Sequence, residues 1–88
     1  MKKNSNFGRN GLFDSPFPAP LSECHIELYS SRAVMIDGCR GVAFCSSEHI
    51  RISIGSRYVA VNGSELVIAS MFGATVSIEG HITGVEFI

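Results

Sequence analysis

Three isoleucines at alternate positions place the strongest constraint on how this 88-residue chain can fold. Ile50, Ile52 and Ile54 are interleaved with Arg51 and Ser53. Successive side chains of a β-strand point to opposite faces, so this spacing puts the isoleucines on one face and the polar groups on the other. The pattern predicts a strand with one buried face.

A period of two continues along the chain from residue 23, with turn-forming residues every six to ten positions. Residues 64–72 favour strand over a short helix because Val67 and Ile68 are β-branched. We predict strands at residues 25–29, 34–37, 50–54, 58–61, 66–70, 75–79 and 84–88, with turns at 30–31, 38, 46–47, 55–56, 62–63, 73 and 80. The expected fold is all-β: a small single-domain antiparallel roll, sandwich or barrel of about seven short strands.

A short internal similarity links two of these segments. Residues 36–44, IDGCRGVAF, resemble residues 78–87, IEGHITGVEF. Each is expected to be a strand that ends in an acidic residue and glycine, then reverses tightly into a second strand led by glycine.

The first twenty residues differ from the rest in composition. Pro16, Pro18 and Pro20 alternate with other residues, which favours an extended path. We therefore expect a flexible or strap-like arm over residues 1–21 and the β-domain over residues 22–88. Phe13 and Phe17 of the arm are candidate contact residues for a partner.

Charge is distributed unevenly along the chain. Residues 1–20 carry a net charge of +2 and residues 21–88 a net charge of −3. A nucleic-acid module normally concentrates positive charge on its folded face. A small barrel that binds nucleic acid, with Tyr58 stacking on bases near Arg57, is therefore only an alternative interpretation, and no nucleic-acid partner is expected.

Size and hydropathy limit the remaining classes. A chain of 88 residues has no room for a large active-site cleft, and its apolar runs are too short to cross a bilayer. Lys2 and Lys3 are followed by polar residues rather than the apolar run of a secretory signal. We expect a protein of the cytoplasm, in which Cys24, Cys39 and Cys45 are free thiols.

The cysteines raise two chemical possibilities, a zinc site and a cysteine nucleophile. Cys39, Cys45 and His49, with Cys24 or His25, are zinc-ligand types, but they lack the paired C-x-x-C spacing of structural zinc sites. Cys45 and His49 lie close enough in sequence for a nucleophile and base, yet the chain has none of the stronger catalytic motifs. We expect no catalytic residues, no enzymatic activity, no small-molecule substrate, no metal and no cofactor.

The order of the motifs resembles the YabP/YqfC family of sporulation proteins, most closely its YqfC-like branch. The resemblance covers residues 24–88. It departs from the family at one turn, where this chain has Asp37, Gly38, Cys39 and Arg40. The motifs that carry it are HIEL at 25–28, IDGCRG at 36–41, Phe44, SSE at 46–48, IRISI at 50–54, VNG at 61–63, LVI at 66–68, IEGHI at 78–82 and VEF at 85–87.

The resemblance implies a non-enzymatic role in the endospore formation of a Gram-positive bacterium. It implies an assembly or adaptor module in the mother cell, near the forespore membrane, with a membrane-anchored partner similar to YqfD. Short apolar strands with few charges at their edges also favour pairing between chains, so a homo-oligomer is expected. Arg51 and Arg57 join Phe13 and Phe17 as candidate partner-binding residues.

Overall fold

The structure, a computed structural model, describes residues 24–88, and all regular elements in this part of the chain are β-strands. Two of the strands are much longer than the others. The strands are β1 (His25–Tyr29), β2 (Ala33–Asp37), β3 (Gly41–Cys45), β4 (His49–Ser53), β5 (Tyr58–Phe72) and β6 (Thr75–Phe87).

The six strands form one antiparallel sheet in the order β1-β2-β6-β5-β4-β3. The long hairpin β5–β6 occupies its centre. β2 pairs with the first part of β6, where Val34 lies opposite Ile78. β4 pairs with the first part of β5, where Ile50 lies opposite Val61. The two short hairpins, β1–β2 and β3–β4, thus each extend one half of the long hairpin.

The sheet is folded over on itself, as the connection between β2 and β3 requires. Four strand spacings separate β2 from β3 in the sheet, or about 19 Å if it were flat. The linker at residues 38–40 reaches only about 14 Å when extended. The amide of Cys39 donates to the carbonyl oxygen of Ala74 at 2.8 Å, and the amide of Arg40 donates to that of Ser53 at 2.7 Å. Ala74 lies in the turn of the long hairpin, whereas Ser53 pairs with Tyr58 at its open end, so the hairpin doubles back.

The fold therefore has two layers, each half of the same sheet. One layer contains β1, β2 and the parts of β5 and β6 next to their turn. The other contains β3, β4, residues 58–62 of β5 and residues 84–87 of β6. Strand residues of both layers and one residue of the linker between β2 and β3 form one buried cluster, whose members are Val34, Ile36, Cys39, Ile50, Ile52, Val59, Val61, Leu66, Val76, Ile78 and Ile82.

Two glycines permit the bend in the long hairpin. A Cβ atom on Gly63 would lie 1.9 Å from the carbonyl oxygen of His81, and one on Gly80 would lie 2.6 Å from that of Glu65. Gly80 also has a φ of +144°, which side chains rarely tolerate. The pairing of β5 with β6 shifts register at Asn62/Gly63 and again between Ser64 and Val67. Such bulges sharpen the local bend of a strand.

Turns of the short hairpins supply hydrogen bonds at this bend. The amides of Gly63 and Leu66 donate to the carbonyl oxygens of Glu48 and Ser47, in the β3–β4 turn. On the other side, the amides of Gly80 and Ile82 donate to those of Arg32 and Ser31, in the β1–β2 turn. Backbone groups released by the bulges are thereby satisfied.

The predicted all-β antiparallel fold is confirmed, and its form is a roll of one folded sheet. The predicted turns at residues 62–63 and 80 are wrong, because Gly63 and Gly80 lie inside continuous strands. Four of the predicted short strands consequently merge into β5 and β6, and the second copy of the internal similarity does not reverse. In the first copy, β3 begins at Gly41 and is the glycine-led strand that the internal similarity predicted. The predicted arm at residues 1–21 lies outside the described residues.

Candidate functional site

The outer surface of the layer containing β4 carries a group of polar and aromatic side chains. The alternation of β4 directs Ile50 and Ile52 to the core and its other residues outward. The pairing of β4, β5 and β6 places further side chains on the same face. We call this surface the outer patch and define it by Phe44, His49, Arg51, Tyr58, Asn62 and Glu86.

Ala60 lies at the centre of the outer patch. It is opposite Arg51 on one side and Glu86 on the other. Although it points away from the core, Ala60 is fully buried. The larger side chains around it therefore close over the middle of the sheet and form a continuous surface.

His49 is held at one end of the outer patch. Its Nδ1 atom lies 2.5 Å from the Oδ1 atom of Asn62, and its ring is tilted against that of Phe44, with centroids 5.8 Å apart. The other ring nitrogen, Nε2, is buried and has no hydrogen-bond partner within residues 24–88. These contacts fix the orientation of the His49 ring.

Arg51 also has a buried polar atom without a hydrogen-bond partner among the described residues. Its guanidinium carbon lies 5.9 Å from the centroid of the Tyr58 ring, within the range of a cation–π contact. Its Nε atom is buried, yet no acceptor from the described part of the chain reaches it. A buried donor without a partner is costly, and such groups usually have an explanation in function or in a missing partner.

Arg57, the other predicted contact residue, lies in the turn between β4 and β5. Its guanidinium carbon is 5.4 Å from the centroid of the Phe87 ring. The two predicted arginines thus belong to the same layer but stand over different aromatic rings. Phe13 and Phe17, the other two predicted contact residues, lie outside the described residues.

Sequence reasoning missed Phe44, His49, Asn62 and Glu86 as members of the surface. The alternation that directs Arg51 to the outer face also directs His49 there, so this residue was recoverable from the pattern. Glu86 was not recoverable from the pattern, because its position in the same row as Arg51 depends on two successive strand pairings.

The three cysteines occupy different environments. Cys39 is buried in the core, Cys45 is exposed and Cys24 is intermediate; all three are free thiols. Burial, followed by the charge of Asp37, raises the pKa of Cys24 above its usual value. Within residues 24–88, no group of three or more His, Cys, Asp or Glu side chains is arranged to hold a metal ion.

A second polar cluster lies on the outer side of β1. The Tyr29 hydroxyl donates to the Glu27 carboxylate at 2.6 Å, and the Nε2 atom of His25 lies 3.1 Å from the same group. The Tyr29 hydrogen bond, and then that of His25, lower the pKa of Glu27. The same hydrogen bond raises the pKa of Tyr29.

A shallow concavity of about 500 Å³ lies at the bend of the long hairpin. His81 Nε2 is 3.9 Å from Glu65 Oε1 at its rim, and both side chains are largely exposed. Opposite charges there are mixed and open to solvent, which makes each pairing weak. The lining residues are Arg32, Ala33, Glu65, Val67, Glu79, Gly80 and His81.

No helix in the described part of the chain has the length and apolar character needed to span a membrane.

Comparison with known proteins identifies the family. No curated protein and no solved structure matches the chain. The model of the YabP family matches residues 21–88, which include all six strands and the outer patch. The chain therefore belongs to the YabP family, and this membership suggests a role related to sporulation.

Proposed function

We propose that this chain is a non-enzymatic assembly or adaptor module of sporulation that binds a membrane-anchored partner. Membership of the YabP family is the observation that carries this proposal. The expected partner is a membrane-bound sporulation protein similar to YqfD. The expected place of action is the mother-cell cytoplasm at the forespore membrane.

The edge of β1, which no other strand of residues 24–88 covers, supports a contact by strand addition. Among the described strands, β1 is the first in the sheet order and pairs only with β2. Its five residues keep an unbroken register with β2, so its backbone is regular along the whole strand. A regular edge with unpaired backbone groups is a template for a strand from another protein.

The opposite edge of the sheet is less suited to this role. β3 pairs with β4, but the register shifts between Val42 and Phe44. A bulge of this kind twists an edge and hinders pairing with a further strand. The proposed partner contact is therefore assigned to β1.

Leu28 gives the β1 edge an apolar anchor. Its side chain is 57% exposed, although Val34, opposite it on β2, is buried. An added strand would cover Leu28 and extend the inner face of the sheet. A lysine at this position should oppose that contact, since charged side chains, lysine above all, are a common protection of free edges.

Recruitment to membranes tests the proposal. The full chain, fused to a fluorescent protein, is expressed in a sporulating bacterium with and without the YqfD-like protein. We expect the fusion to surround the forespore and to co-purify with that membrane protein, and we expect Leu28→Lys to abolish both. Val67→Lys is the matched control, because Val67 is 54% exposed on a central strand.

Recruitment that does not require the membrane protein would contradict the proposed partner. Equal behaviour of the two lysine variants would contradict the assignment of the contact to β1. A shift of labelled RNA or DNA that disappears at high salt would favour a nucleic-acid module instead.

A further inference from the structure

We propose that the outer patch binds a second copy of this chain, with Arg51 of each copy paired to Glu86 of the other. This inference rests on the proposed assembly function and assigns self-association to a sheet face. That face lies in the layer opposite to the one containing the β1 edge.

The positions of the two charges are set by strand register. Arg51 on β4, Ala60 on β5 and Glu86 on β6 form one row across the sheet. Adjacent strands are about 4.8 Å apart, so the backbones of Arg51 and Glu86 are about 10 Å apart, with Ala60 midway. Neither charged side chain forms an ion pair with another of residues 24–88.

This row is complementary to itself. A twofold axis parallel to β5 and above Ala60 exchanges the β4 side of one copy with the β6 side of the other. Arg51 then faces Glu86 of the second copy, and Glu86 faces Arg51 of the second copy. A twofold contact repeats each interaction, so the interface gains two ion pairs between Arg51 and Glu86.

In the neighbouring row, a large side chain of one copy lies over a glycine of the other. His49, Asn62 and Gly84 lie on the same face, one step along the strands. The same axis places His49 over Gly84 of the second copy. A Cβ atom on Gly84 would have no heavy atom within 4 Å, so the space above this glycine is open. The imidazole ring of His49 would fill that space.

The contact also supplies Arg51 with an ionic partner. The Arg51 guanidinium forms no ion pair with another of residues 24–88, and a carboxylate from a facing copy would provide one. Hydrogen bonds between a guanidinium and a carboxylate are among the strongest between side chains. Tyr58, which already contacts the guanidinium, shields the pair from solvent on one side.

Exchange of the two charges tests this arrangement. The full-length chain and its Arg51→Glu, Glu86→Arg and doubly substituted variants are compared by sedimentation velocity and light scattering over a concentration series. The native chain should dimerise. Each single substitution should weaken self-association about tenfold or more, and the double exchange should restore it.

Control substitutions change the net charge by the same amounts at other sites. Arg57→Glu alters the turn beside Phe87, and Glu79→Arg alters the layer that contains β2. Both should keep the native dimer, and circular dichroism should show a folded sheet in every variant. A native chain that stays monomeric, single variants that dimerise normally, or a double variant that remains monomeric would each overturn the proposal.

The outcome is separable from that of the proposed partner contact. Leu28→Lys changes the β1 edge and should leave the solution mass of the chain unchanged. Arg51→Glu should weaken the dimer even if recruitment to membranes proves independent of β1.

Discussion

The α-carbon of Gly63 lies so close to His81 that a Cβ atom at residue 63 would be 1.9 Å from the carbonyl oxygen of His81. The contact joins β5 to β6 at the point where the long hairpin folds back. The obstructing atom belongs to the backbone, so a side-chain rotation cannot relieve it. The two-layered fold thus depends on the absence of a side chain at this position.

We predict that Gly63→Ala destabilises the protein by about 1–3 kcal/mol or more, since overfilling a packed site forces backbone shifts. Urea unfolding followed by circular dichroism measures the loss. Gly41→Ala is the control, because a Cβ at Gly41 has no heavy atom within 4 Å. Equal stability of the two variants would show that the strands separate here without cost.

We predict that Tyr29→Phe raises the pKa of Glu27 towards its ordinary value of 4.5, because the Tyr29 hydroxyl donates the hydrogen bond that lowers it most. Carbon NMR of the Glu27 carboxyl group as a function of pH measures the midpoint. Tyr58→Phe, in the other layer, should leave the Glu27 titration unchanged. An unchanged midpoint in Tyr29→Phe would contradict the role of the hydroxyl.

The same pair has opposite consequences at the two ends of the pH range. The pKa of Glu27 is lowered on folding, so its contribution to stability is present above pH 4.5 and is lost as the pH falls through the folded value. The pKa of Tyr29 is raised, so its contribution is present below pH 10 and is lost as the pH rises through the folded value. Both side chains face solvent, which keeps these contributions small.

We predict that Asp37→Asn shifts the pH profile for alkylation of Cys24 to lower pH. Burial and the Asp37 carboxylate both raise the pKa of this thiol, and the substitution removes only the charge. Asparagine keeps an oxygen that can accept the 3.0 Å hydrogen bond from the Thr75 hydroxyl. Mass spectrometry of iodoacetamide-treated protein distinguishes Cys24 from the other two cysteines.

Glu48→Gln, in the turn between β3 and β4, provides the matched control for this experiment, and its Cys24 profile should follow that of the native chain. The interpretation fails if Asp37→Asn and Glu48→Gln give the same profile, since the charge of Asp37 would then have no effect on the thiol.

Local pattern was sufficient to predict most elements of the sheet. The alternation at Ile50 and Ile52 located β4, and glycines at 38, 55 and 73 marked real connections between strands. Each of these features depends on residues a few positions apart. Such short-range preferences are present in the sequence whatever the rest of the chain does.

Glycine was ambiguous where its role was tertiary. Gly63 and Gly80 resemble turn glycines in sequence, but they allow two backbones to approach inside long strands. The atoms that exclude a side chain at Gly63 belong to His81, eighteen positions away. No local pattern distinguishes this requirement from that of a turn.

The sequence by itself determined that this chain forms antiparallel strands with one apolar face, and its motifs pointed to the family. Only the tertiary structure decided that one sheet folds into two layers and that Arg51, Ala60 and Glu86 share a row. The physical reason is register: a strand's own alternation sets which side chains share a face, whereas their neighbours depend on pairing with distant strands.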